Sequence, residues 1–214
     1  MTDTNKEAAT LAAVEPPTIP AVAGSAIDPG LIPFGAGTFR YGVTFEESTG
    51  KLTSEGTIIG ATKGGGKFSI KPEILPLEAD HLGVEFKGGH AKIGEAATME
   101  APFTEITADD IAKFTVGEAK EGTDCMIVKP SDIVKPGHYY ENFAYVGRTA
   151  DGSPVIVHYK NAICTSGFEL EGKNKEQGAS TAVFSCVADA DAGVGCKLPW
   201  TIIWPNKKSS ADNA

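Results

Sequence analysis

The feature that most constrains this chain is the return, along most of its length, of short stretches in which apolar and polar side chains alternate. Phe39, Tyr41, Val43 and Phe45 alternate with Thr38, Arg40, Gly42 and Thr44, the period of two that sends successive side chains to opposite faces of a strand. The 25 glycines and 13 prolines among 214 residues cut these stretches short and leave little room for long helices. A fold of strands joined by turns is therefore expected.

Individual segments sharpen that expectation. Thr49-Gly50-Lys51 supplies a turn after the first strand. A second strand follows Gly64-Gly65-Gly66 through Phe68, Ile70 and Ile74. Pro72 and Pro76 interrupt it, and because proline brings no N–H to a ladder, they point to a sheet edge or a bulge. Ile93, Met99, Ala101 and Phe103 continue as its hairpin partner, ending near Ile106. The connection over 78–89 is too long for a tight turn, so this hairpin is expected to carry a projecting loop.

One helix is signalled, over about 107–116. Thr107 can cap its free N–H groups, Asp109 and Asp110 suit its positive end, and Ile106 can staple against Ile111. Ile111 and Phe114 give it an apolar edge, and Gly117 can end it in the left-handed conformation. Further on, Phe143 and Tyr145 run into an Asp151-Gly152 turn, and Val155, Val157 and Tyr159 leave on one face. Phe168 and Leu170 are expected to pair with Val183, Ser185 and Val187 across the polar 172–178 connection, and Trp200, Ile202 and Trp204 alternate near the end. The total is seven or eight strands and one helix, with no internal repeat.

The organisation read from this pattern is a β domain over 37–204, preceded by an arm over 1–36 and followed by a short tail over 205–214. Pro16, Pro17, Pro20, Pro29 and Pro33 deny the first segment any sustained periodicity. It is read either as an extended arm lying along a neighbour or as a tail without fixed structure. Its start lacks the basic and apolar regions of a secretory signal, and no apolar run is long enough to span a bilayer, so no membrane insertion is expected.

Twenty-eight acidic against nineteen basic residues give a formal charge of −9. That balance argues against wrapping duplex DNA, which needs a concentrated lysine and arginine surface. It suits solubility, or a surface that a polyanion passes without adhering. Cys125, Cys164, Cys186 and Cys196 lie far apart without a paired spacing and are expected as buried free thiols; with His81, His90, His138 and His158 they form no zinc pattern.

No catalytic constellation stands out, and no cofactor is expected. The stretch from Gly60 to Ser69 approaches a phosphate-binding loop, but Gly66 stands where lysine is required and a strand pattern follows where a helix is needed. His158, between Val157 and Tyr159, is read as a surface or interface residue of a strand rather than a base. Glu46-Glu47 and Asp109-Asp110 are read as a turn flank and a helix cap. The chain is not expected to be an enzyme.

Three stretches resemble, in this order, the siphophage major tail protein family, which builds tail tubes: residues 60–73 (GATKGGGKFSIKPE), 97–107 (ATMEAPFTEIT) and 141–157 (ENFAYVGRTADGSPVIV). The likeness spans roughly 57–204. It implies a mostly β fold, a β-sandwich or half-barrel with one short flanking helix and extended arms. Six copies would close into a ring with a continuous inner β-barrel, and rings would stack into a tube that conducts the genome. The partners so implied are the chain itself in stacked homohexameric rings, a tape measure, a tail terminator and baseplate or distal tail proteins, with DNA passing through the lumen without specific binding. The setting is the virion, assembled in the host cytoplasm. Another virion structural protein, serving head–tail completion or decoration, and a secretion-tube-like ring protein are the alternatives.

Contacts between subunits or rings are placed on the arm, at Pro16, Pro17, Pro20 and Pro29, and on the projecting loop, at Glu78, Asp80, His81, Leu82, Glu85 and Phe86. Deleting residues 1–30 is expected to abolish tube growth, and the lumen is expected to carry negative potential.

Overall fold

The computed structural model describes residues 28–78, 84–172, 174–175, 177–190, 195 and 197–206. Among them the chain is mostly β with one α-helix, as the alternation requires. Twelve strands form, several only two to four residues long: β1 (Thr38–Tyr41), β2 (Thr44–Phe45), β3 (Leu52–Ser54), β4 (Thr57–Ile58), β5 (Lys67–Pro76), β6 (His90–Phe103), β7 (Gly117–Glu121), β8 (Met126–Pro130), β9 (Tyr140–Arg148), β10 (Pro154–Cys164), β11 (Ser180–Cys186) and β12 (Trp200–Ile203). The helix α1 covers Ala108–Phe114.

The main sheet runs β4-β1-β9-β10-β11-β6-β5, with β12 added to β10. Its strands are antiparallel. The segment after β4 first gives the Ile59 amide to Phe39 of β1, then reaches across to β6, where the Lys63 amide meets the Pro102 carbonyl and Thr104 meets Ala61. The sheet thus curls back at this corner, while among the described residues the outer edge of β5 stays open. Glycines make the corner possible. A Cβ on Gly60 would lie 2.0 Å from the Glu105 carbonyl oxygen, one on Gly66 would lie 2.5 Å from the Phe39 ring, and Gly64 and Gly65 take φ of +95° and +80°. The glycine-rich stretch that approaches a phosphate loop in sequence is a packing device leading into β5.

The concave face holds the core. Phe39, Met99, Phe103, Phe143, Tyr159 and Phe184 are fully buried there, and Phe114 of α1 closes one side. Phe184 sits among four rings, 4.5 Å from Phe143, 5.5 Å from Phe114, 5.6 Å from Tyr140 and 6.2 Å from Phe103. Burying aromatic area of this kind stabilises by about 1.5–3 kcal/mol per side chain. A smaller cluster of Val43, Ala144 and Ile156 lies apart from the main core, with Leu52, Val146 and Ile203 packed against it.

Several expectations need correcting. The run from Phe39 to Phe45 does not keep one face: Gly42, at φ +72°, breaks the strand, and Val43 joins the second cluster while Phe39 and Tyr41 face the first. The helix ends at Phe114, and the left-handed residue after it is Val116, at φ +53°, rather than Gly117, which already begins β7. Phe168 and Leu170 form no strand; β11 lies between β10 and β6, and its buried side chains are Ser180, Ala182, Phe184 and Cys186 rather than Val183 and Ser185. His158 is not a surface residue: Phe45 covers it edge-on at 5.0 Å, and burial holds its pKa below the ordinary histidine value. Cys164 and Cys186 are buried free thiols, Cys125 is exposed, and Cys196 lies outside the described residues.

Candidate assembly interface

The β5–β6 hairpin outruns the sheet that carries it. β11 pairs with β6 only over Thr98 to Phe103, whereas β5 pairs with β6 all the way to Pro76 opposite His90. The stretch nearer the loop is therefore a two-stranded ribbon, and Lys71 to Pro76 are all exposed. At the strand rise of about 3.3 Å per residue, those six residues extend about 20 Å.

Both faces of the ribbon carry exposed apolar side chains beside the charged Lys71, Glu73 and Lys92. Ile74 and Leu75 are 55% and 48% exposed, and as consecutive strand residues they point to opposite sides. Leu77, Val84, Phe86 and Ile93 add further exposed apolar area near the tip. An isolated two-stranded ribbon is at best marginally stable in water, and apolar side chains on two faces cannot both be covered by folding down on one surface.

At the root, a carboxylate clamps the ribbon. The register slips between Glu73 and Ile74, leaving Ile93 as the extra residue on β6. In a regular strand residues three apart point to opposite faces, but this bulge lets Lys92 and Glu95 meet at 2.9 Å. The Glu95 side chain, only 5% exposed, also accepts the Leu198 amide at 3.1 Å, just before β12. The Lys92 ammonium and then that amide hold the Glu95 carboxyl below the ordinary range.

Of the residues expected to make contacts, Glu78, Glu85 and Phe86 lie on or beside the ribbon loop, and all are exposed. Glu85 reaches His90 at 3.4 Å, and the Phe86 ring folds over Gly89, where a Cβ would lie 2.7 Å away. Pro29 lies in a 3-10 turn, Pro29–Leu31, and the chain just beyond it is tied to its own subunit. The Phe34 amide bonds to the Arg148 carbonyl, and the Ala150 amide to that of Ile32. Pro16, Pro17, Pro20, Asp80, His81 and Leu82 lie outside the described residues.

Sequence reading missed a second ribbon, β7–β8, next to α1. It exposes the consecutive residues Met126 and Ile127, with Ile133 and Val134 beyond it, and an ion pair between Lys135 and Glu118 braces its base. On the face of β5, β6 and β11 opposite the core, short hydroxyl side chains predominate: Ser69, Thr98 and Ser185 lie side by side, with Lys67 and Glu100 paired at 3.8 Å. Charge on this face is balanced rather than acidic.

The grooves on the surface are open. One of about 470 Å³ is lined by Tyr41, Lys113, Tyr139, Tyr140 and Asn142, with the Lys113 ammonium 4.5 Å from the Tyr140 ring centroid. Among the described residues no three histidine, cysteine or acidic side chains come together as a metal site.

No family model matches the chain, and no curated protein matches it. Eight chains of solved structures are similar to it. Among them is one from the virion of a native gene transfer agent particle, 13% identical, with a TM-score of 0.38 over 77% of this chain and 95% of that one.

Proposed function

We propose that this protein is a structural component of a phage-like virion, and that its copies close into rings and stack as a tail tube through which DNA passes. The observation that carries this reading is the β5–β6 ribbon, with exposed apolar side chains on two faces and an outer edge that is open among the described residues. A subunit built this way is incomplete alone and is completed by neighbours. Heterologous contacts of this sort, repeated by rotation, close a ring, and repeated along an axis they make a filament. The ordered stretches resembling siphophage tail tube proteins agree with that arrangement. On this reading the protein acts by assembling, not by catalysis.

Ring number six, the tape measure, terminator and distal tail partners, and the setting in the virion belong to the same proposal. Electron microscopy of the purified full-length protein at rising concentration tests it. Hollow tubes of uniform width are expected. A chain that stays monomeric at every concentration, or that binds only to capsids, removes the tube reading and favours decoration or head–tail completion.

A further inference from the structure

The prolines of β5 divide its open edge into a part that can accept another strand and a part that cannot. The Leu77 amide donates to the Gly89 carbonyl at 2.7 Å, toward β6. Backbone groups alternate sides along a strand, and the extra residue of the bulge lies on β6, so the phase of β5 runs unbroken. Residues 67, 69, 71, 73 and 75 therefore address β6, and 68, 70, 72, 74 and 76 address the outside. Pro72 and Pro76 both fall in the outward set. They cost the native ladder nothing, and they leave outward donors only at Phe68, Ile70 and Ile74.

We infer that residues 67–71 of β5 pair by backbone hydrogen bonds with an open strand edge of a second copy of this chain, and that Pro72 ends that pairing. Beyond Pro72 the missing N–H and the pyrrolidine ring hold a further strand away, and Ile74 stands alone between two blocked positions. The ribbon tip then meets neighbours through side chains. The occupant is a second copy because the chain supplies what the edge needs. β8 and β12 are each bonded on one side among the described residues, and the two ends of the main sheet are unlike, which gives head-to-tail rather than self-complementary pairing. This inference rests on the ring reading and specifies its seam.

Residue-resolved hydrogen exchange on the full-length protein, dilute and then concentrated to assembly, tests it. On assembly the Phe68 and Ile70 amides are expected to slow by about a hundredfold or more, while Ile74 keeps its monomer rate. In Pro72→Thr, which restores an outward donor without touching the β6 ladder, protection is expected to extend to residues 72 and 74. Tubes in which Phe68 and Ile70 still exchange fast overturn the seam and leave the ring reading standing; absence of any assembly overturns both. Slow exchange at 68 and 70 already in the monomer overturns the seam as well. So does protection gained together with amides of residues 1–27 instead of a strand edge of the domain.

Discussion

The Tyr140 hydroxyl donates to the Asp110 carboxylate at 2.8 Å, joining the first strand after the β7–β8 ribbon to the helix that packs on the core. Asp110 also accepts the Thr107 hydroxyl at 2.6 Å, while the Thr107 oxygen in turn receives the Asp110 amide as the helix cap. Burial, then the negative charge of Asp110, push the Tyr140 phenol above its ordinary pKa, so it stays a donor at any pH the protein meets. Removing the acceptor strands two hydroxyl groups, whereas removing the phenol leaves one carboxylate oxygen short of a donor while Thr107 still bonds the other. Asp110→Ala is expected to cost about 2–3 kcal/mol and Tyr140→Phe about 1 kcal/mol. Urea midpoints of the two variants, with an unchanged slope, check the order.

Gly60 separates a packing requirement from mere flexibility. Its absent Cβ makes room for the Glu105 carbonyl oxygen, a backbone atom that cannot swing aside. Gly60→Ala is expected to destabilise by more than about 3 kcal/mol, in the range of overpacked or strained core sites. Gly137→Ala, with nothing within 4 Å and no left-handed φ, is the control and should stay within about 0.5 kcal/mol of the parent. Thermal melts of the two proteins side by side give the answer.

These residues also show what alternation does and does not reveal. The β5–β6 hairpin was legible because Phe68, Ile70, Met99 and Phe103 hold one phase and because Pro72 and Pro76 mark an edge. The phase of β11 was not legible, since Val183 and Phe184 are both apolar and small residues, Ser180 and Ala182, fill the buried face beneath rings from other strands. The β7–β8 ribbon hid in a stretch rich in Glu and Lys, whose apolar Met126 and Ile127 adjoin rather than alternate. Glu95 could not have been singled out at all, because its meeting with Lys92 depends on a bulge at Ile93 that shows only in the pairing with β5. Contacts were expected on the N-terminal arm and the loop; the interface proposed above lies on the ribbon beneath that loop.

His158 predicts a pH dependence. Burial beneath Phe45 lowers its pKa in the folded chain, and among the described residues its Nε2 has no hydrogen-bond partner. The unfolded chain then binds a proton that the folded one refuses, so stability is full above the unfolded value near 6.5 and falls as the pH drops below it. His158→Phe removes that proton site while keeping a ring under Phe45. Between pH 7 and 5, stability of the parent is expected to decline and that of the variant to decline less. The window stays above the range where Glu95 and Asp189, whose carboxyls are held low by Lys92 and Lys160, begin to cost stability. Equal slopes for the two proteins would mean that some other group dominates.

Leu75 distinguishes a ribbon that serves neighbours from one that merely decorates the subunit. Its side chain is half exposed, on the opposite face of the strand from Ile74, and its neighbours Ile74 and Pro76 are exposed as well. Exchanging it for glutamate places a charge where water already reaches, so the subunit should fold as before, within about 0.5 kcal/mol by urea denaturation. In an assembly the same charge would have to be buried without a partner, at a cost of several kcal/mol at every repeated contact. Leu75→Glu is therefore expected to give a soluble, fully folded monomer that forms no tubes, and to slow growth when mixed as a minor fraction with the parent. Tubes of normal width and number from the variant alone would show that this face of the ribbon meets only water.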